Sequence, residues 1–339
     1  MIGSAKGRVK AEHTRFAYDP AALRYLVTGA AGFIGSQLCD ALLATGRDVV
    51  GVDCFVPYYP RPIKERNLAG ALASRHFTFL ELDLRRGDLT PALDGVSVVF
   101  HLAAMGGLLR SWQDFDLYLT CNVQATQRLL EAIRTHGRVE QLIHASTSSI
   151  YGAYATGPET IPAEPVSPYG ITKLAAEHLV KTYDRQFGLP ATILRYYSVY
   201  GPRQRPDMGY HIFVDRILTG RPITIAGDGN QLRGSTYVAD IVRGTILAHE
   251  RFERGSIYNL GGSDEASANE VIDLLEDLIG RPAIREYGPA RPGEQARSLA
   301  DTSLAQARLG FAPSTPLREG LAAQVEWQRN DVNEVGRPR

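Results

Sequence analysis

The sequence predicts an α/β fold, with a doubly wound parallel sheet followed by a smaller C-terminal α/β domain. Three observations indicate it. Short apolar runs alternate with helix-length segments over residues 23–195, a glycine-rich turn follows the first run, and glycine, proline and arginine become denser after residue 195. Strands that alternate with helices form βαβ units, in which the strands lie parallel and the crossovers are right-handed.

Six apolar runs are predicted to be strands: residues 25–27, 49–52, 77–82, 96–102, 142–144 and 191–194. Residues 118–136 and 169–187 are predicted to be long helices. We expect an N-terminal extension at 1–22 and a first domain at 23–195, with a return segment at about 236–262. The second domain, at 196–235 and 263–339, is expected to cover the carboxyl edge of the sheet, where doubly wound folds bind ligands.

The composition excludes several classes of partner. Lysine plus arginine and aspartate plus glutamate both number 37, so no basic field predicts nucleic-acid binding. No apolar stretch approaches the roughly 18 residues needed to span a bilayer, and we expect neither a membrane partner nor a signal peptide. Three cysteines without C-x-x-C spacing predict no disulfide framework and no metal site, which favours a reducing, cytoplasmic location.

The first predicted strand leads into T-G-A-A-G-F-I-G at residues 28–35, with the spacing G-x-x-G-x-x-G. Gly29 permits a tight turn, Gly32 lets the backbone approach a pyrophosphate, and Gly35 lets the following helix pack against the sheet. The N-terminus of that helix offers free N–H groups to an anion. A strand, this turn and a helix in succession predict a dinucleotide site of the Rossmann type.

Asp53 ends the second predicted strand, at about the 20-residue distance at which Rossmann folds carry an acid. A carboxylate there accepts hydrogen bonds from the ribose hydroxyls and repels a 2′-phosphate. The expected cofactor is therefore NAD and not NADP.

Tyr169 and Lys173 form the pattern Y-x-x-x-K at the start of a predicted helix, where residues four apart share one face. A nearby ammonium and the positive nicotinamide ring favour the phenolate of the tyrosine. The segment S-T-S-S-I-Y-G at residues 146–152, after the fifth strand, offers hydroxyls that can bind a reacting hydroxyl or carbonyl. Taken alone, Y-x-x-x-K also suits a surface tyrosine and a solvated lysine, and the hydroxyls suit a polar turn.

Together these motifs, with Asp83-Leu84 and His101-Leu-Ala-Ala104, resemble the extended short-chain dehydrogenase/reductases, and among them the NAD-dependent nucleotide-sugar epimerase/dehydratase group. The resemblance covers about residues 24–325. It implies a catalytic triad of Thr147, Tyr169 and Lys173. It also implies cofactor contacts from Gly29, Gly32, Phe33, Ile34, Gly35, Asp53, Cys54, Asp83, Leu84, Leu102, Ala103, Ala104, Tyr169, Lys173 and Tyr196.

The resemblance also divides the group by reaction. The 4,6-dehydratases carry an Asp-Glu pair where this sequence has Ser148 and Ser149, so the machinery for removing water is missing. The segments Y-Y-S-V-Y-G-P-R-Q-R-P-D-M at 196–208 and D-C-F-V-P-Y-Y at 53–59, followed by Lys64, resemble those of UDP-glucuronate 4-epimerases. This implies that Arg205 faces the sugar carboxylate. The alternative is that Arg205 is a loop arginine that balances Asp207.

Ser148, Ser149 and Ser198 are expected to assist Arg205, while Arg233 and Arg291 match arginines that hold the diphosphate of the UDP-sugar. Two departures affect the diphosphate contacts: Leu109 stands where many relatives have arginine, and Gly234-Ser235 replaces an acid–aromatic pair. A UDP-glucuronate decarboxylase, a UDP-glucose 4-epimerase and a non-catalytic NAD-sensing scaffold stay open as alternatives. The family usually forms homodimers through two long helices, here 118–136 and 169–187.

Overall fold

The computed structural model describes residues 23–262, 264–291 and 293–335, with side chains to residue 330. The predicted N-terminal extension lies outside these residues. A seven-stranded parallel sheet is the largest element, with the strand order β3-β2-β1-β4-β5-β7-β12, strands and helices being numbered in chain order. Its strands are β1 (Arg24–Thr28), β2 (Asp48–Asp53), β3 (Phe77–Glu81), β4 (Val98–His101), β5 (Gln141–Thr147), β7 (Ala191–Tyr196) and β12 (Ile257–Leu260).

Helices cover both faces of this sheet. They are α1 (Phe33–Leu43), α2 (Arg61–Leu72), α3 (Thr90–Leu93), α4 (Leu108–Gln113), α5 (Phe115–Tyr118), α6 (Ala125–His136), α7 (Pro168–Phe187), α9 (Val238–Glu250) and α11 (Ser303–Leu309). Successive side chains of a strand point to opposite faces. Tyr25 and Val27 of β1 accordingly join the core under α1, α9 and α11, while Leu26 joins the core under α6 and α7. Strands are added to the sheet on one side of β1 as far as β3 and on its other side from β4 onward. This switch in strand order leaves a crevice for a ligand between β1 and β4.

The residues predicted as a helix over 118–136 are helical throughout, but one part of this run is not α-helical. Between α5 and α6 the chain forms a π-helical segment, Leu119–Gln124. Its wider turn carries Asn122, whose side chain accepts a bond of 2.7 Å from Met105 N and donates one of 3.0 Å to Met105 O. Hydrophobic periodicity cannot reveal such a segment, because one extra residue in a turn barely changes the pattern along the helix.

A smaller unit packs beside the main sheet and contains three short sheets. Their strands are β6 (Tyr154–Ala155), β8 (Val199–Tyr200), β9 (Ile223–Ala226), β10 (Leu232–Gly234), β11 (Thr236–Tyr237), β13 (Glu265–Ser267), β14 (Arg285–Gly288) and β15 (Arg297–Ser298), and its helices are α8 (Gly209–Thr219), α10 (Ala268–Ile279) and α12 (Leu317–Val335). Its own core includes Val214, Ile225, Val271 and Leu321.

Strand pairing follows the predicted division at β12 and crosses it at β6 and β11, since β11 lies in the predicted return segment but pairs with β8. β12, in the predicted return segment, pairs with β7 and extends the main sheet. β6 falls within the predicted first domain but pairs with β15 of the smaller unit. The division of the chain into domains stays a prediction. Within the described part of the chain, no helix combines the length and apolar character that a bilayer crossing requires.

Candidate active site

A cleft of about 810 Å³ opens at the carboxyl ends of β1, β2, β4, β5 and β7, between the main sheet and the smaller unit. Every residue proposed for the site on sequence grounds lines it. These are Gly29, Gly32, Phe33, Ile34, Gly35, Asp53, Cys54, Asp83, Leu84, Leu102, Ala103, Ala104, Thr147, Ser148, Ser149, Tyr169, Lys173, Tyr196, Ser198, Arg205, Arg233 and Arg291.

The glycine turn between β1 and α1 is fitted tightly to its surroundings. Gly29 has φ +75°, and a Cβ there would lie 2.9 Å from the backbone N of Ala103. A Cβ on Gly35 would lie 2.1 Å from the carbonyl oxygen of Gly29, so only glycine permits α1 to begin here. Gly32, the N-cap of α1, has no side chain over the first N–H groups. The turn therefore leaves those groups open to a phosphate, as a dinucleotide requires.

Asp53 closes the same end of the cleft from the tip of β2. Its carboxylate accepts bonds from Ala31 N at 3.2 Å and from Phe55 N at 2.8 Å. These bonds fix the carboxylate beside the glycine turn, where the adenosine ribose of a dinucleotide would meet it. A carboxylate in this place suits NAD, because it would accept hydrogen bonds from ribose hydroxyls and repel a 2′-phosphate.

Asp83 follows β3, and its carboxylate accepts hydrogen bonds from Arg85, a cleft residue that was not predicted from the sequence. Arg85 donates to Asp83 Oδ1 from Nε at 2.9 Å and to Oδ2 from Nη2 at 2.8 Å, and both residues line the cleft. The signal that could have indicated Arg85 is its position in the sequence, two residues after the predicted contact residue Asp83. This pairing lowers the pKa of Asp83 through hydrogen bonding to its charged form.

Thr147 ends β5 and caps the short helical turn that follows it. Its Oγ accepts a bond of 3.2 Å from Ser149 N and donates one of 3.2 Å to Ser149 Oγ. Gln295, from the loop before β15, donates to the carbonyls of Ser148 at 3.1 Å and Gly152 at 3.0 Å. The turn that carries Ser148 and Ser149 is thus held by the Thr147 cap on one side and by Gln295 on the other. No local pattern in the sequence indicated Gln295.

Tyr169 and Lys173 lie in the first two turns of α7. Ser167 caps this helix by accepting a bond of 3.1 Å from Gly170 N, and Pro168 occupies the first turn, where its missing N–H costs nothing. The cap therefore sets the helical phase that turns Tyr169 and Lys173 into the cleft together.

Burial determines the acid–base character of this pair. It raises the pKa of Tyr169, while the Thr147 hydroxyl beside the phenol and the positive charge of Arg205 act in the opposite direction. Burial lowers the pKa of Lys173 to about 8, with Glu177 opposing the change. Lys173 Nζ donates to Ala145 O at 2.7 Å. Without a cofactor the phenol is protonated at neutral pH, so a bound positive charge is needed to favour the phenolate.

Arg205 reaches the cleft from the loop between β8 and α8. Its Nε and Nη2 donate to the two oxygens of Asp207 at 2.9 and 2.8 Å, and its guanidinium lies 5.2 Å from the ring centroid of Tyr58. Arg205 lines the cleft, and its ion-pair partner among the described residues is Asp207. The edge of the guanidinium that includes Nη1 stays turned toward Gly106.

Arg233 and Arg291 line the outer end of the same cleft, together with Glu294. Burial lowers the pKa of Arg233, and Glu294 opposes this. Arg233 Nη1 donates to Leu232 O at 3.0 Å. Of the two departures from the family pattern, Leu109 lines the cleft and is 44% exposed, and Ser235 bonds its hydroxyl to Tyr210 at 2.6 Å.

Tyr196 and Ser198 were both expected to contact a ligand, and each has a feature that the sequence did not predict. Tyr196 lines the cleft, but its hydroxyl bonds to Thr245 Oγ at 2.7 Å and the side chain lies in the core. Ser198 has φ +24°, a conformation that non-glycine residues rarely adopt. Such strain is often found at binding sites.

The loop between β2 and α2 supplies further cleft residues. Tyr58 lies 4.7 Å from the guanidinium of Arg110, measured to its ring centroid, and Lys64 donates to Val56 O at 3.0 Å. Tyr58, Tyr59, Lys64 and Arg110 all line the cleft. In this loop only Cys54 was predicted to contact the cofactor, and Tyr58 and Tyr59 belonged to the segment that carries the resemblance.

Comparison with known proteins agrees with this geometry. The model of the NAD dependent epimerase/dehydratase family matches residues 25–261. An uncharacterized UDP-glucose epimerase, YtcB, of Bacillus subtilis is 42% identical over 309 residues, which cover 90% of this chain and 98% of that protein. A UDP-glucuronate 4-epimerase of Thermodesulfobacterium geofontis is 37% identical over 313 residues, covering 91% and 97%.

Among solved structures, the UDP-glucuronic acid 4-epimerase of Bacillus cereus, in complex with UDP-glucuronic acid and NAD, superposes with a TM-score of 0.88 at 42% identity. That match covers 91% of this chain and 99% of the other. The glycine turn, the acid at the end of β2 and the matched length of the sequences lead to one conclusion. The chain belongs to the NAD-dependent epimerase/dehydratase family, and its cofactor is NAD.

Proposed function

We propose that this protein is an NAD-dependent UDP-sugar 4-epimerase that interconverts UDP-glucuronate and UDP-galacturonate. The observation that carries the proposal is the presence of Thr147, Tyr169, Lys173 and Arg205 in one cleft beside the glycine turn. The first three residues suit proton transfer at a sugar hydroxyl, and a guanidinium suits a carboxylate. Relatives that act on UDP-glucuronate support the choice of sugar.

Tyr169 acts as the base in this proposal and takes the proton of the sugar 4-hydroxyl. NAD, which the glycine turn and Asp53 would hold, would supply a reversible hydride acceptor for C4 of the sugar. Thr147 holds the sugar oxygen, and the Lys173 ammonium favours the phenolate by its charge. After the 4-keto sugar has turned in the cleft, Tyr169 gives the proton back. No net oxidation occurs, since the same two electrons leave and return.

The cofactor contacts that we propose run from the glycine turn through Asp53 and Asp83 to Leu102, Ala103 and Ala104. Arg233 and Arg291 would hold the diphosphate of the UDP-sugar, because two cations in one wall suit a charged diphosphate. The carboxylate would meet Arg205 with hydroxyls from Ser148, Ser149 and Ser198.

The turn after β5 supports epimerisation over dehydration. Elimination of water across C5 and C6 needs an acid and a base beside the sugar, and positions 148 and 149 carry serines instead. Ser149 bonds with Thr147, and the Ser148 carbonyl accepts from Gln295. The turn therefore offers hydroxyls and no carboxylate to the substrate.

A second candidate is epimerisation of UDP-glucose. The bond between Arg205 and Asp207 favours it, because a neutralised guanidinium discriminates less in favour of an acidic sugar. One solved relative, MoeE5, 43% identical with a TM-score of 0.82, has been crystallised with NAD and either UDP-glucuronic acid or UDP-glucose, so both sugars fit a relative of this chain.

A panel of UDP-sugars tests both candidates. The enzyme is incubated separately with UDP-glucuronate and UDP-glucose, and the products are identified by mass and NMR. We expect UDP-galacturonate from UDP-glucuronate at the higher kcat/KM. UDP-galactose as the preferred product would favour the second candidate, and a UDP-pentose with release of CO₂ would identify a decarboxylase.

We also propose that the protein is a homodimer and that it works in the cytoplasm. Large apolar side chains are exposed on α4, at the start of α5 and on the outer side of α7, notably Trp112, Phe115 and Ile171. These support an interface along the helices of this face. The three free cysteines support a reducing location. Light scattering on the purified protein tests the dimer.

A further inference from the structure

Lys173 adjoins a buried pair of charged residues, Glu177 and Arg195, to which the proposed reaction assigns no role. Glu177 lies one helical turn beyond Lys173 on α7 and is fully buried. Arg195 of β7 donates to both of its carboxylate oxygens, from Nε at 3.0 Å and from Nη2 at 2.9 Å. Lys181, on the next turn, approaches it at 3.8 Å.

This pair is anchored to three further parts of the fold. Arg195 Nη1 donates to Tyr151 Oη at 2.6 Å and to Glu159 O at 2.9 Å. Tyr151 in turn donates to Asn259 of β12 at 2.7 Å. Glu177 is therefore held by a guanidinium that is itself hydrogen-bonded within the fold, and this fixes the carboxylate one helical turn from Lys173.

We propose that Glu177, held by Arg195, is a positioning residue that keeps the Lys173 ammonium charged and in place beside Tyr169. This rests on the proposed function, in which the ammonium favours the phenolate. Lys173 Nζ is buried and donates to a neutral carbonyl, that of Ala145. A buried ammonium needs a counter-charge, and Glu177 acts on Lys173 in the direction that keeps its proton.

Other titratable groups face Lys173 from the neighbouring elements. His101 of β4 and His144 of β5 are both buried, and burial lowers the pKa of His101 to about 3 and that of His144 well below its ordinary value. Both imidazoles are therefore neutral in the assay range. Tyr169 shares α7 with Lys173, and Arg195 on β7 is paired with Glu177. Burial lowers the pKa of Lys173 and the charge of Glu177 opposes this, so Glu177 extends the pH range over which the ammonium persists.

The test is the pH profile of kcat for the full-length, NAD-loaded enzyme with its UDP-sugar. The alkaline limb of this profile is the range in which kcat falls as Lys173 loses its proton. In Glu177→Gln we expect this limb to move to lower pH by on the order of one unit, which is about a 10-fold loss of kcat at a given pH on the limb. KM should change by less than about 2-fold, since Glu177 touches no substrate. Glu177→Asp, which keeps the charge but shortens the side chain, should leave the limb where it is in the wild type.

A merely structural role makes a different prediction. Both variants disturb the bidentate bond to Arg195, so a structural role predicts that both lose stability. It also predicts that the alkaline limb either stays in place in both variants or moves equally in both, and either result overturns the proposal. If Glu177→Gln fails to fold because it leaves Arg195 unpaired, the double variant Glu177→Gln/Arg195→Gln removes both charges. Its limb should also move down, and an unmoved limb in this variant overturns the proposal. Absence of turnover in the wild-type enzyme instead overturns the proposed function and this inference with it.

Discussion

Replacing Arg205 by alanine tests how the cleft recognises the sugar. In the protein, Asp207 occupies the Nε side of the guanidinium, with bonds of 2.9 and 2.8 Å. Nη1 makes no hydrogen bond among the described residues, and a Cβ on Gly106 would lie only 2.7 Å from it. Nη1 and the second proton of Nη2 are thus the donors left for a substrate carboxylate.

The size of the effect follows from that geometry. One charge-assisted contact is lost, at a cost of about 1.5–3 kcal/mol, which corresponds to about a 10- to 150-fold fall in kcat/KM for UDP-glucuronate. Asp207 then faces the sugar carboxylate without its partner, so the loss should fall toward the upper part of this range. A neutral sugar meets no such repulsion, and its kcat/KM should fall far less.

The assay compares kcat/KM for UDP-glucuronate and UDP-glucose in the wild type, in Arg205→Ala and in Arg203→Ala. Arg203 is the matched control because it lies in the same loop but bonds to Ser36 at 3.2 Å and to Asp40 at 2.7 Å, away from the cleft. Release of a UDP-pentose by Arg205→Ala would agree with a less restrained carboxylate. Equal losses on the two sugars would refute the idea that Arg205 recognises the carboxylate.

Three further predictions concern the cofactor and the base. Tyr169→Phe should abolish turnover while NAD binding and thermal stability persist, and near-normal steady-state rates would remove Tyr169 from the mechanism. The dinucleotide released on denaturation should be NAD; recovery of mainly NADP would show that Asp53 does not face the ribose. Gly35→Ala adds a Cβ 2.1 Å from the Gly29 carbonyl oxygen, so it should lower stability by about 1–3 kcal/mol and reduce the NAD retained through purification, as measured by thermal melting and absorbance.

The local motifs were predictable because their chemistry depends on short spacings. Gly29 and Gly35 are separated by six positions, and Tyr169 and Lys173 by one helical turn. In such cases the backbone between the residues fixes their relative placement, whatever the remainder of the fold does. The strand runs were predictable for a similar reason, although β4 is shorter than its apolar run and the π-helical segment before α6 was missed.

Contacts between distant parts of the chain were not predictable in this way. Gln295 bonds to the Ser148 carbonyl across 147 positions, and Arg195 reaches Glu177 from a different element. Neither pair shares a spacing that marks it, since a glutamine in a loop and a glutamate on a helix are ordinary in any sequence. Resemblance assigned Arg205 to the substrate, and the sequence left pairing with Asp207 open as the alternative; only the folded loop shows that this bond forms.

The sequence by itself determined the Rossmann-type sheet, the glycine turn, the acid at the end of β2 and the Tyr169–Lys173 pair, because each depends on periodicity or on spacings of a few residues. Tertiary structure decided which charges surround those groups. Burial raises the pKa of Tyr169 and lowers that of Lys173 to about 8. Burial and pairing are properties of the packed molecule, since desolvation depends on every element that excludes water from a side chain, and most of those elements lie far from it in sequence.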